Sequence, residues 1–156
     1  MNYEKIQNKV LKSAFKRDAE LKPFRFKWGM YDDSVVIINE TASGLFIIPK
    51  NRFYLDIQQV FGCAEPVPVE KIINKSEVKD IILTDTFINT DNGMLGVFKQ
   101  LNNDEPIYYD SKLLKEYGKL TNPHYKGTDA KSPILIYEGE DMVGLILPVR
   151  RKKAGD

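Results

Sequence analysis

The sequence predicts an α+β fold made of two halves. Each half is a helix followed by antiparallel strands, with the helices on one face of a curved sheet. Three observations carry this expectation. Residues from Tyr3 to about Leu21 hold neither Gly nor Pro, and their apolar positions recur at helical spacing. The order of a helix and then three short β-rich runs occurs twice, over Tyr3–Ile48 and again over Ser111–Val149. Short turn signals between those runs favour hairpins over the long crossovers that a parallel sheet needs. The two occurrences lie roughly a hundred residues apart, too far for a solenoid period, so an internal pseudo-duplication is the reading.

Taken in order, the first helix places Tyr3, Ile6, Val10, Ala14 and Leu21 on one side. Lys5, Lys9, Lys12 and Lys16 fall on the other, within an arc of about 60° at ~100° per residue. Pro23 ends it. Phe24–Met30 alternates aromatic with basic residues as a strand, Tyr31-Asp32-Asp33 turns, and Ser34–Asn39 and Leu45–Ile48 complete a meander around a Thr41–Gly44 turn. Phe53–Leu55 extends the sheet in this reading. Asp56–Lys79, broken by Gly62, Pro66 and Pro68, is a long connection, with a helical turn or short strand over Val69–Asn74. Asp80–Asn89 is a strand, Thr90–Gly93 a hairpin turn with Asn-Gly in type I′ geometry, and Met94–Leu101 the return strand. Asn102–Asp104 is polar loop, and Glu105–Asp110 is a short extended run. Asp110 or Ser111 caps a second helix over Lys112 to about Leu120. A strand starting near Pro123 follows, then a hairpin of Ile134–Tyr137 and Met142–Val149 around the Glu138–Asp141 turn.

With 156 residues, the chain reads as one domain over 1–150, with a basic flexible tail over 151–156. The net charge of +1 announces no polyanion partner, so any basic surface must be local. One cysteine, Cys63, allows no internal disulfide, and this suits a reducing cytoplasm. The first residues lack the apolar core of a secretory signal, and no apolar run reaches the ~18 residues of a membrane span, so no membrane partner is expected.

No catalytic constellation emerges. His124, the single histidine, has a surface or packing role as its plainer reading rather than that of a general base. Cys63 reads as a structural thiol. Metal-ligand spacing and a glycine-rich phosphate loop are both missing, so neither metal nor cofactor is expected, and a small hydrolase has no motif behind it. Phe24, Phe26 and Trp28 could stack bases, though core packing suits them better. The second helix adds Lys112, Lys115 and Lys119, which share a face at i, i+3 and i+7. Such rows are either solvated surface or phosphate contacts.

The run YYDSKLLKEYGKL followed by SPILIYEGEDMVGLILPVR resembles the end of a bacterial DNA sliding clamp, the processivity subunit of the replicative polymerase. The matching positions are Leu113 and Leu114 on the helix, Pro133–Ile136 on one strand and Leu145–Arg150 at the close. ILTDTFINTDNGMLGVF is similar to the family's "TDG.RL" strand and turn, but Thr86 stands where the glycine belongs and the arginine is missing. The resemblance covers roughly 45 residues. It implies a clamp-type fold without enzymatic activity, in which Lys5, Lys9, Lys12, Lys16, Lys112, Lys115 and Lys119 face double-stranded DNA. Replication proteins and further copies of the chain are the other implied partners. Bacterial clamp subunits have three such domains and this chain has length for one, so encircling DNA would require a homo-oligomer. The alternative is a protein-interaction module of the same fold that binds a peptide or partner subunit and not DNA.

Overall fold

The computed structural model describes residues 1–21, 23–73, 78–101 and 103–151. It is α+β with antiparallel strands, and it divides into two compact units, Met1–Asn74 and Lys75–Asp156.

The first unit opens with helix α1, Tyr3–Glu20. Asn2 caps it, its side chain accepting from the Lys5 amide at 2.9 Å. Leu21 closes it in the left-handed conformation at φ 51°, so the helix has already ended when Pro23 is reached. α1 buries Ile6, Gln7, Val10 and Ala14. Strands β1 (Lys27–Tyr31), β2 (Ser34–Ile38) and β3 (Gly44–Pro49) pair antiparallel in sequence order. The β1–β2 turn is Asp32-Asp33, with Asp32 at φ 48°. The β2–β3 turn is held by the Asn39 carboxamide, which accepts from the amides of Ser43 and Gly44. Val35–Ile38 and Leu45–Ile48 are buried at every position, so both faces of these strands are covered and the period-2 alternation is lost.

Phe53–Leu55 forms no strand, contrary to expectation. Gln7 explains this: its Oε1 accepts from the Tyr54 amide at 2.8 Å and its Nε2 donates to the Arg52 carbonyl at 2.9 Å, so this backbone bonds to α1 instead. The expected long connection contains a short helix, α2 (Ile57–Phe61), capped by Asp56, which accepts from the Gln59 amide at 2.9 Å. A 3₁₀ turn follows at Val69–Lys71, while Asn74 and residues 75–77 lie outside the described residues. The Val67 amide donates to the Trp28 carbonyl at 2.8 Å, which covers part of the open side of β1. Gly29 makes this approach possible, because a Cβ there would run into the Val67 carbonyl and the Val69 side chain.

In the second unit the strands are β4 (Lys79–Thr90), β5 (Gly93–Gln100), β6 (Asn103–Asp110), β7 (Pro123–Gly127), β8 (Ile134–Glu138) and β9 (Asp141–Ile146). They neighbour one another in the order β9-β8-β7-β4-β5-β6, all antiparallel. The β4–β5 turn departs from the expected type I′ geometry. Gly93 pairs with Thr90 as a strand residue at φ 128°, and neither Asp91 nor Asn92 has positive φ. β6 begins at Asn103, so part of the expected polar loop is strand. Helix α3 spans only Ser111–Glu116, capped by Asp110 accepting from the Lys112 amide at 2.9 Å. It stops short of Leu120 because Gly118 turns left-handed at φ 72° and Tyr117 is fully buried, its hydroxyl donating to the Leu145 carbonyl at 3.0 Å.

β9 ends at Ile146, earlier than expected, and Leu147–Arg150 lie beyond the strand. The Val149 amide donates to the Tyr108 carbonyl of β6 at 2.8 Å, and the Arg151 guanidinium sits 5.2 Å from the Tyr108 ring centre. β6 lies five strand spacings from β9 in the order, about 24 Å along a flat sheet. Three residues reach only about 10 Å. The run of strands is therefore strongly curved. Of the expected basic tail, residues 152–156, including Lys152 and Lys153, lie outside the described residues.

Candidate nucleic-acid interface

α1 presents its lysine row to solvent: Lys5, Lys9, Lys12 and Lys16 are all exposed, opposite the buried stripe. The helix forms this way because its apolar residues recur at three- and four-residue intervals and its lysines follow the same rhythm half a turn away. Carboxylates on α1 sit near its ends, Glu4 in the first turn, Asp18 and Glu20 in the last. The fifth cation, Arg17, points elsewhere. Its Nη1 donates to the Val60 carbonyl of α2 at 3.1 Å, its Nε pairs with Asp18 at 2.7 Å, and its carbon Cζ lies 5.2 Å from the centre of the Phe24 ring. Arg17 therefore ties α1 to α2, while the four lysines remain on the outer face.

The second lysine set is only partly assembled. Lys112 and Lys115 lie on α3, three residues apart, and both are exposed. Lys119 falls past the helix end, so the expected i, i+3, i+7 face does not form. Lys112 reaches back over the β4–β5 turn, its Nζ 4.0 Å from where a Cβ on Gly93 would stand.

The strand expected from Phe24 begins only at Lys27, and Phe24, Phe26 and Trp28 do not offer a stacking platform. Phe26 is buried, the Phe24 ring packs 5.5 Å from Phe61, and the Trp28 indole donates to the Ala64 carbonyl at 2.9 Å. Among the described aromatic residues the most exposed ring is that of Phe15 on α1, at 63%, ahead of Tyr54 and Phe87. A helical wheel could have found it: at ~100° per residue Phe15 lies about 60° from Lys12, well away from the apolar stripe. His124 stacks on Tyr137 with ring centres 4.7 Å apart, and the Lys126 ammonium lies 5.2 Å from the Tyr137 ring centre. Cys63, read from the sequence as a structural thiol, is exposed. Among the described residues no three His, Cys, Asp or Glu side chains converge as a metal site, and no helix is long and apolar enough to cross a membrane.

A second feature was not legible in the sequence. β4 pairs with β7 only over Lys79–Ile81. Pro123, which would come opposite Leu83, has no N–H to continue the ladder. Beyond that point an open groove of about 290 Å³ is lined by Leu83 and Phe87 of β4, Leu114 and Lys115 of α3, and Pro123 and Tyr125 of β7. A bulge of Thr84–Thr86, pinned by the Thr84 hydroxyl donating to the Val97 carbonyl at 2.8 Å, sets Phe87 at the rim.

Comparison with family models, with curated proteins and with solved structures finds no match to this chain.

Proposed function

We propose that this chain is a non-enzymatic, DNA clamp-like protein of the cytoplasm. It associates with double-stranded DNA independently of sequence, as a replication accessory and as a homo-oligomer. The observation that carries this reading is the α1 face, four exposed lysines in line on an eighteen-residue helix. Lys112 and Lys115 supply a second, shorter cationic row. With a formal net charge of only +1 on the whole chain, this basicity is local. A face of that kind neutralises phosphates without reading bases. The resemblance of residues 105–150 to the end of a bacterial sliding clamp supports the same reading.

The test is fluorescence anisotropy with unrelated duplexes across a salt series. The expected result is binding that ignores sequence, weakens with salt by about 0.9 log units per log unit for each phosphate contacted, and is lost in a Lys9→Glu/Lys12→Glu variant that melts like the parent. No binding at low salt would end the proposal.

The groove favours a second reading, a protein-interaction module that binds an extended apolar segment between β4 and α3. Size-exclusion chromatography with light scattering separates the two: a closed oligomer supports the first, a monomer the second.

A further inference from the structure

Phosphate contact alone does not account for the α1 face. Phe15 is 63% exposed, the most exposed aromatic ring among the described large apolar residues. It lies beside the lysine row, about 60° round the helix from Lys12, and its neighbours three and four residues away are Leu11, Lys12, Asp18 and Ala19. Lys12, Asp18 and Ala19 are exposed and Leu11 is half-buried. A phenyl ring in such a place contributes nothing to a duplex contact, because paired bases keep their π-faces inside the stack. Unpaired bases present theirs, and a ring beside a row of cations that holds the backbone is the usual means of binding them.

Resting on the proposed nucleic-acid role of α1, we infer that this face prefers single-stranded nucleic acid, with Phe15 stacking on one unpaired base while Lys5, Lys12 and Lys16 hold the phosphates that run beside it. The helix rise of about 1.5 Å per residue offsets Lys5 roughly 15 Å and Lys12 roughly 4.5 Å from Phe15 along the axis, a span of a few nucleotides. A lipid surface suits the face less well. Its apolar content is Phe15, Ala19 and the half-buried Leu11, too little to insert a helix among headgroups.

The experiment compares an oligothymidylate of about 20 nucleotides, longer than the ~4–16 that one small domain covers, with a duplex of equal length, by anisotropy at low salt. The single strand is expected to bind more tightly. Phe15→Ala is expected to weaken that binding by about 5- to 100-fold and leave duplex binding unmoved, and Phe15→Trp to restore it. Equal affinity for the two probes, a Phe15→Ala variant that binds like the parent, or one that loses both probes equally would overturn the stacking role and leave the proposed duplex association standing. Absence of binding to either probe would sink both, as would capture by anionic phosphatidylserine vesicles alone.

Discussion

Gln7 shows how one polar side chain decides a local conformation. It is fully buried, and its carboxamide uses both ends: Oε1 accepts from the Tyr54 amide, and Nε2 donates to the carbonyls of Arg52 and Tyr3. Nothing in the sequence singles out Gln7, since its partners lie 45 and 47 residues further on. Gln7→Leu keeps the volume and leaves the part-buried Tyr54 amide and Arg52 carbonyl without their partner. It should cost about 1–3 kcal/mol, read as a lower urea midpoint with an unchanged m-value. Gly96 poses the converse problem. It pairs with Tyr109 across β5 and β6, and a Cβ there would overlap the Tyr109 ring, so its role is to leave space.

Elements were legible where local signals agreed and obscure where distant contacts intervened. α1 came out of its periodicity within a residue at its C-terminal end, because an amphipathic stripe of eighteen residues outweighs competing signals. α3 was located by its cap but given too long a span, since the fully buried Tyr117 and the left-handed Gly118 override the propensity of Lys119 and Leu120. α2 was missed although Asp56 and Gly62 bracket it as cap and stop, because five residues carry no readable period. Asp110→Ala removes the single side-chain cap of a six-residue helix. We expect a loss of about 1 kcal/mol in thermal or urea unfolding, with Asp110→Asn nearly neutral.

For the whole molecule, the twice-used order of a helix followed by three antiparallel strands was plain from the sequence, and so were the lysines of α1. The groove was not, because it depends on where the β4–β7 ladder stops. The same packing sets an alkaline limit on stability. Burial, with Tyr125 adding to it, pushes the Tyr109 hydroxyl up to about 12, and burial together with the nearby Glu116 charge holds Tyr117 well above its ordinary value of 10.0. Both groups stay protonated in the fold after the unfolded chain has begun to ionise. Their contribution is therefore complete below about pH 10 and is lost as pH climbs toward about 12. Melts monitored together with tyrosinate absorbance should show stability falling through that window, and flat melting temperatures would contradict it. The Val149–Tyr108 hydrogen bond carries a different consequence. Proteolytic trimming just after Ile146, or a bulky purification tag forced in at that point, would strip this cover and leave the outer amides and carbonyls of β6 unshielded, as a template for fibrillar self-association.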